Sequence, residues 1–445
     1  MFLRHCIAGG LLAALPAFAW AADADIAALR AEIEALRSQY EARIAALEAK
    51  LAQAERERAS VGAQPSPSNT ATAFNPAISL ILSGTYANLQ RDPASCRLDG
   101  FVPSGGEVGP PPRSFSLGES ELVLAANIDP YLRGEFMLAA APDNSIAVEN
   151  AYLQTLALPK GFTLKAGRFY SGIGYINEQH AHAWDFVDAP LAQQAFLGGQ
   201  YAQDGVQLKW LAPTETFLEL GAEVGRGQNF PGAERNKNGV GAWSLGARIG
   251  GDVGVSHAWL AGLSYLQTRP RDRQFQTDDA SGNLVTNTFA GRSNLWLASL
   301  VWKWAPAGNP SVRHFKFQSE YYRAGSEGSL TYDLGGSNEF TDGFRSVQSG
   351  WYAQGVYQFM PRWRVGLRYD RLHAGTLDAG ANTGQLPLLA AYDPHRASMM
   401  VDYSPSEYSR FRLQFSRDAA RRDVTDNQVF LQYVLSLGAH GAHAF

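Results

Sequence analysis

The sequence predicts an all-β fold: a transmembrane antiparallel β-barrel of about 16 strands, preceded by a periplasmic α-helical coiled coil. Three observations lead to this prediction. Beyond the N-terminal leader, no apolar run is long enough for a membrane-spanning helix. From Phe74 onward, apolar and polar residues alternate, which is the period of a strand with two unlike faces. The connections between these runs are long and short in turn, as in outer-membrane barrels.

The composition agrees with a barrel and argues against some partners. The chain has 445 residues and a formal net charge of −4, which argues against binding to nucleic acid. Charged residues make up only 18 % of the chain and aromatic residues reach 11 %. Such a balance suits a barrel, because its apolar outer face is distributed over alternate residues.

Residues 1–21 are predicted to be a secretory signal peptide. Arg4 supplies a positive charge, an apolar run extends from Ile7 to Phe18, and Ala19-Trp20-Ala21 has the small-x-small pattern of a cleavage site. The mature chain is expected to begin directly after this site. Cys96 is then its only cysteine, so no internal disulfide can form.

Residues 22–58 are predicted to form a coiled-coil helix. Core-compatible residues recur in steps of three and four, with one additional four-residue step, a stutter, between Tyr40 and Ile44. The seam consists of Ile26, Leu29, Ile33, Leu36, Tyr40, Ile44, Leu47, Leu51 and Ala54. Since nothing else in the chain offers a partner helix, we expect self-association, and Ile and Leu at the seam leave both a dimer and a trimer open. The alternative is a solvated helical spacer.

Residues 59–73 are rich in Pro, Ser and Ala and are predicted to be a flexible linker. The barrel is predicted over residues 74–445. In one clear strand, Val365, Leu367 and Tyr369 alternate with Arg364, Gly366 and Arg368. The predicted strands are centred near Leu80, Leu122, Phe136, Ala151, Ala166, Leu208, Leu220, Leu245, Leu260, Leu297, Phe317, Ala353, Leu367, Met400, Leu413 and Tyr433.

The long connections are predicted over residues 91–113, 171–200, 226–240, 269–292, 324–345 and 373–396. Long connections lie outside the cell in bacterial barrels, and short turns lie in the periplasm. An even number of strands brings both ends of the barrel to the periplasmic side, which agrees with a periplasmic coiled coil. We therefore expect the protein in the outer membrane, in contact with its lipid.

The final strand and its last residue resemble a known assembly signal. Val429 to Phe445 contains alternating apolar residues and ends the chain on an aromatic side chain. This resembles the C-terminal signal of outer-membrane barrels and implies the barrel-assembly machinery as a partner. Phe445 is the residue that carries the signal.

The whole layout, from signal peptide to coiled coil, linker, barrel and terminal Phe, resembles a sixteen-stranded porin. The stretch from Glu149 to Tyr175 (ENAYLQTLALPKGFTLKAGRFYSGIGY) is similar to the region of porins where a strand pair leads into an inward-folded loop. The resemblance implies a trimeric outer-membrane diffusion channel. It also implies that residues 171–200 fold into the lumen and set selectivity for small polar or anionic solutes.

The loop carries carboxylates that could face a wall of arginines. In an inward fold, they would stand opposite two strands far round the barrel, and opposed rows of charge in a narrow wet pore select polar solutes. The residues of this predicted constriction are Glu178, Asp185, Asp188, Arg364, Arg368, Arg410 and Arg412. The alternative is a loop that covers the barrel from outside above a wide channel.

The same loop contains a candidate metal site. His180 and His182 are separated by one residue, and imidazoles suit zinc or copper, with Glu178 or Asp185 as additional ligands. The stretch from Ile176 to Gln200 resembles a poorly characterised set of outer-membrane proteins, some of them catalogued as zinc-regulated receptors. Such receptors have a folded plug and about 22 strands, whereas this chain is predicted to have a coiled coil and about 16 strands. A diffusion channel is therefore the preferred function, and metal uptake is the alternative. The plainer role for the histidines is to hold the loop against the barrel.

We expect no enzymatic activity and no required cofactor, zinc being the one candidate. Candidate acid–base residues are scattered over Asp185, His180, His257 and His314, and no GxSxG motif is present. A third possibility is a structural tether through the coiled coil, and this role is compatible with a pore.

Overall fold

The computed structural model describes residue 34 and residues 76–105, 108–232 and 238–438. Contacts divide the chain into two units, Met1–Ala73 and Phe74–Phe445. The predicted signal peptide and linker and the terminal Phe445 lie outside the described residues, as does the predicted coiled coil except for Glu34, which is helical. Among the described helices, none has the length and apolar character that crossing a membrane requires.

In the described residues, 18 strands form one antiparallel sheet. They are β1 (Ala77–Leu89), β2 (Ser114–Leu117), β3 (Ser120–Asn127), β4 (Leu132–Ala140), β5 (Ile146–Thr155), β6 (Phe162–Tyr170), β7 (Ala202–Leu211), β8 (Phe217–Gly225), β9 (Ala242–Val253), β10 (His257–Thr268), β11 (Arg273–Asp278), β12 (Leu284–Trp304), β13 (His314–Tyr332), β14 (Phe340–Met360), β15 (Trp363–Asp378), β16 (His395–Ser406), β17 (Ser409–Arg421) and β18 (Val424–Gly438).

Among the described residues of the barrel unit, helical structure is short. One α-helix, α1 (Leu191–Leu197), lies in the loop between β6 and β7. The 3-10 turns are Pro93–Ser95, Pro159–Gly161, Ala181–Ala183, Pro306–Gly308, Gly380–Gln385 and Pro387–Leu389.

The sheet closes on itself because β1 pairs with β18 on one side and with β2 and β3 on the other. β2 and β3 are two halves of one strand of the wall, interrupted at Gly118 and Glu119. β11 pairs with the outer part of β12 as a hairpin, whereas the remainder of β12 pairs with β10. The barrel wall therefore has 16 strands, and every predicted strand centre falls inside one of them. The predicted fold class is confirmed.

Alternation along the strands gives the barrel an apolar outside and a polar inside. Leu367 is 65 % exposed on the outer surface, whereas the next residue, Arg368, is 3 % exposed and points inward. Arg412 and Leu413 show the same contrast. Exposed Leu, Phe, Trp and Val side chains recur on the outer face of nearly every strand, which is the surface that lipid requires.

Three outer connections are shorter than the sequence predicted. β12 already begins at Leu284, β13 continues to Tyr332, β14 begins at Phe340 and β15 continues to Asp378. These extensions contain many polar residues and glycines, so they lack the apolar alternation of a membrane segment. The backbone ladder continues there without that pattern, because hydrogen bonds between strands do not depend on a lipid-facing side.

Candidate functional site

The connection between β6 and β7 folds into the barrel lumen. Hydrogen bonds of Asn177 hold the two ends of this loop together. Asn177 is fully buried. Its Nδ2 donates to the carbonyls of Ser171 and Tyr201, while its Oδ1 accepts from Tyr201 N at 2.7 Å and Gln193 Nε2 at 3.0 Å. One amide thus satisfies backbone groups at both ends of the loop. Sequence analysis missed Asn177, because an asparagine in a long loop carries no local signal for this role.

α1 brings apolar side chains into the outer half of the lumen. Leu191 and Phe196 belong to one buried cluster with Tyr322 and Leu372 from the barrel wall and Phe101 from the loop after β1. The rings of Phe101 and Phe196 are 5.8 Å apart and nearly perpendicular. Two outer loops therefore meet inside the barrel around a hydrophobic core.

The loop carboxylate Asp188 forms part of a buried charge network. Arg368 Nη2 lies 2.8 Å from Asp188 Oδ1, and Arg396 Nη1 lies 2.5 Å from Asp188 Oδ2. Arg368 also donates to Asp370 at 3.0 Å, and Asp370 accepts the backbone N–H of Leu191 at 2.9 Å. The first residue of α1 is thereby tied to the same network.

Asp185 forms a second network closer to the short-turn end of the strands. Its carboxylate lies 2.5 Å from Lys316 Nζ and 3.2 Å from Arg364 Nη1. Arg364 in turn pairs with Asp402 at 2.6 Å. Two of the predicted constriction pairs are thus direct ion pairs.

The two remaining predicted arginines contact loop carbonyls. Arg412 Nη2 donates to the Trp184 carbonyl at 2.8 Å, and Arg410 Nη2 donates to the His182 carbonyl. Together with Arg396, the four predicted arginines form what we call the arginine side of the lumen, on β15, β16 and β17. The loop binds this side directly.

Glu178 contacts a different part of the wall. Its carboxylate lies 2.8 Å from Lys209 Nζ on β7 and 2.7 Å from Arg248 Nη2 on β9. The structure therefore separates Glu178 from the arginine side, with which sequence analysis had grouped it.

Ion pairing decides the protonation of these three carboxylates. Burial opposes their ionisation, but nearby cations outweigh it. Lys209 and Arg248 hold the pKa of Glu178 well below its usual range, and Lys316 and Arg364 do the same for the pKa of Asp185. Arg396 and Arg368 lower the pKa of Asp188 to about 2. All three are anions at neutral pH.

His180 and His182 face carboxylates of the wall that sequence analysis had not selected. His182 Nδ1 lies 2.8 Å from Glu121 Oε1 on β3. His180 Nδ1 lies 3.9 Å from Glu121 Oε2 and 3.7 Å from Glu149 Oε2 on β5. We call Glu121 and Glu149 the glutamate side. The sequence signal for these two glutamates was their place in the alternation of each strand, which directs them into the lumen.

The protonation of His180 depends on this side of the lumen. Burial alone would lower the pKa of His180, but the neighbouring carboxylates of Glu149 and Glu121 outweigh burial and raise it. The two carboxylates therefore favour positive charge at this position.

Two cavities lie beside the loop near the short-turn end of the barrel. One, of about 680 Å³, is lined by residues including Glu135, Tyr152, Lys165, His180, Arg248 and Trp259. The other, of about 510 Å³, is lined by residues including Lys303, His314, Lys316, Arg364, Tyr408 and Arg410. The second cavity is strongly basic and borders the arginine side.

No family model matches this chain. It is 31 % identical over 402 residues to a protein of Aquifex aeolicus described as uncharacterized, which covers 84 % of this chain and 80 % of that protein. The barrel is similar to OmpT of Vibrio cholerae with loop L8 deleted, an outer membrane protein, with a TM-score of 0.51, 12 % identity, and coverage of 82 % and 99 % of the two chains. It is also similar to Salmonella typhi OmpF in complex with daunomycin, with a TM-score of 0.50, 11 % identity, and coverage of 81 % and 97 %.

Proposed function

This chain belongs to the family of the Aquifex aeolicus protein, and for this member we propose an outer-membrane channel for small polar or anionic solutes. The observation that carries the proposal is the long loop held inside a closed barrel beside a basic cavity. An apolar outer face and a charged interior support placement in a membrane. The likeness to OmpT and OmpF supports the barrel architecture.

The preference for anions follows from the charge balance of the basic cavity. Lys316 and Arg364 have carboxylate partners, but within the described part of the chain no carboxylate pairs with Arg410. The Nε of Arg410 is buried without a hydrogen bond. An unbalanced cation beside water-filled space attracts anions and excludes cations.

Passage through the outer half of the lumen requires movement of α1. In this part of the lumen, a hydrophobic core contains Leu191, Phe196 and Phe101. Polar solutes cannot cross such a core without replacing their hydration. We therefore propose a channel that opens by displacement of the loop.

The test is single-channel conductance of the refolded mature protein in a planar bilayer. We expect discrete anion-selective steps, and steps in groups of three for a trimer. Arg410→Gln should reduce the anion preference, whereas Lys209→Gln in the other cavity should change it less. If both variants have the same anion preference, the basic cavity does not set the selectivity of the channel.

Loop movement can be tested with a disulfide between α1 and β14. A Cβ added at Gly350 would lie 3.3 Å from the Cβ of Ala192, close to the Cβ separation in disulfides of about 3.5–4.5 Å. The end of the Leu372 side chain must shift to admit this Cβ. In a Cys96→Ser background, Ala192→Cys with Gly350→Cys should conduct when reduced and lose conductance when oxidised. Equal conductance in both redox states would show that solutes pass without movement of α1.

We propose a transport role in preference to catalysis. The scattered acid–base candidates have unrelated partners: Asp185 pairs with Lys316, His257 stacks on Trp302, and His314 contacts the Pro310 carbonyl. A homotrimer, a periplasmic coiled coil and delivery by the barrel-assembly machinery belong to the same proposal. The structural tether remains compatible with it.

Metal uptake is the second candidate function, and the observation that favours it is the position of His180 between Glu121 and Glu149. Its test is zinc flux into liposomes that contain the protein. Flux that is lost in His180→Ala would support uptake. Flux equal to that of empty liposomes would remove it.

A further inference from the structure

The glutamate side and the loop together form a cluster with the geometry of a metal site. One ligand atom from each of Glu121, Glu149 and His180 lies within 4.8 Å of the other two. The nitrogen of His180 lies 3.9 Å and 3.7 Å from the two carboxylate oxygens. Two ligands bound to one ion at about 2.0–2.2 Å from it are separated by a similar distance, so an ion fits with small movements.

The atoms that point into this cluster lack other partners. The side chain of Glu121 is 0 % exposed and that of Glu149 is 9 % exposed. Their Oε2 atoms and His180 Nδ1 are buried without a hydrogen bond. Buried polar atoms of this kind are costly unless something binds them.

His182 orients the cluster from the other side. Its Nδ1 lies 2.8 Å from Glu121 Oε1, which leaves Glu121 Oε2 directed towards His180. The rings of His180 and His182 are parallel, with centroids 5.8 Å apart. A second group that holds a ligand carboxylate by its other oxygen is typical of the surroundings of a bound metal.

The charge of the cluster also favours a cation. Among the described residues, the only ion-pair partners of Glu121 and Glu149 are histidines. Two neighbouring buried carboxylates repel each other, and a divalent ion would neutralise both.

We propose that Glu121, Glu149 and His180 bind a divalent transition-metal ion, with zinc as the representative, and that His182 is a positioning residue. One imidazole and two carboxylates are a ligand set that zinc accepts. The ion connects β3 and β5 with the loop, so it stabilises the loop inside the lumen. This structural ion is separate from the solute that the channel carries.

The test uses the full mature chain refolded in detergent without a purification tag. His440→Ala and His443→Ala are present in every sample, so that imidazoles near the chain end add nothing to the metal count. Equilibrium dialysis with Zn²⁺ should give one bound ion per chain, and Co²⁺ should give a visible absorption spectrum. Glu149→Gln and His180→Ala should abolish both signals, and His182→Ala should weaken binding by about 10–100-fold.

His314→Ala is the matched control, since His314 lines the basic cavity and lies apart from the cluster. It should bind metal as the parent protein does. Heat-modifiable mobility on gels confirms that each variant is folded. If the parent binds no metal, or if Glu149→Gln and His180→Ala retain its affinity, the proposal is wrong.

Thermal unfolding gives a second readout that does not depend on channel activity. An ion that binds only the folded barrel raises Tm as its concentration increases. Zn²⁺ should therefore raise the Tm of the parent and of His314→Ala, but not that of Glu149→Gln. An equal increase in all three would place the metal elsewhere and overturn the assignment.

Discussion

The two sides of the lumen hold the same loop in opposite ways. On the arginine side, Asp185 and Asp188 from the loop meet cations that already have carboxylates of their own wall. On the glutamate side, the ion pairs that Glu121 and Glu149 form among the described residues are with the loop histidines. The ion pairs of Asp185 and Asp188 are complete within the protein, whereas the glutamate side has room for an external cation. One loop can therefore be held by ion pairs within the protein at one contact and depend on an external cation at another.

The energetic consequence differs between the two sides. Formation of a buried ion pair contributes little net stability, but removal of one partner leaves an uncompensated charge and is costly. The arginine side should therefore respond strongly to substitution. The glutamate side should respond mainly to the cation that is present.

The largest expected effect is the loss of Asp188. Asp188→Asn breaks the buried ion pairs with Arg368 and Arg396, which keep the wall carboxylates of Asp370 and Asp418. We expect the free energy of unfolding to fall by about 2–3 kcal/mol, because charge-assisted hydrogen bonds are lost. Urea unfolding of the refolded barrel measures this change. A loss below that of Glu178→Gln would contradict the division between the two sides.

The pH dependence of the arginine side comes next. The pKa of Asp188 is lowered from 3.8 to about 2 in the folded protein. A lowered folded pKa contributes stability above the unfolded value, and this contribution is lost as the pH falls from about 4 to 2. The expected loss is about 2 kcal/mol. Asp188→Asn should flatten this part of the stability curve, and parallel curves for variant and parent would exclude Asp188 as the cause.

The smallest expected change in stability is at Glu178. This residue contacts β7 and β9, which lie between the glutamate side and the arginine side. Its side chain is 24 % exposed and borders the larger cavity, so water can replace part of the lost ion pairs. Glu178→Gln should lower the free energy of unfolding by less than Asp188→Asn does, because Lys209 and Arg248 also face the carboxylate of Glu219. Asp143→Asn in an exposed turn is the control and should change it by less still. A loss of several kcal/mol at Glu178 would mean that this contact anchors the loop as firmly as Asp188 does.

The barrel could be predicted in detail because its signal is local. Each wall strand contains an alternation such as Arg412-Leu413-Gln414, and lipid on one side and polar lumen on the other require that pattern. The predicted outer connections were too long where β12 to β15 extend beyond the apolar band. There the strands are defined by pairing between neighbours, which no single segment shows.

The candidate site was only partly visible in the sequence. His180, Asp185 and Asp188 were selected from the composition of the loop, and the arginines from their inward positions. Glu121 was missed, because its inward position on β3 does not show which loop residue it meets, and His182 lies 61 residues away. Asn177 was missed for the same reason, since its role exists only when both ends of the loop are present.

By itself, the sequence determined the number of wall strands, which face of each strand meets lipid, and which loop carries unusual chemistry. These properties depend on residues that are neighbours along the chain, where the period of a strand imposes the pattern. Only the tertiary structure decided that Asp188 meets Arg368, that Glu178 meets Arg248 and that His182 meets Glu121. The physical reason is that closure of the barrel brings distant strands around one lumen, and charges pair by distance in space.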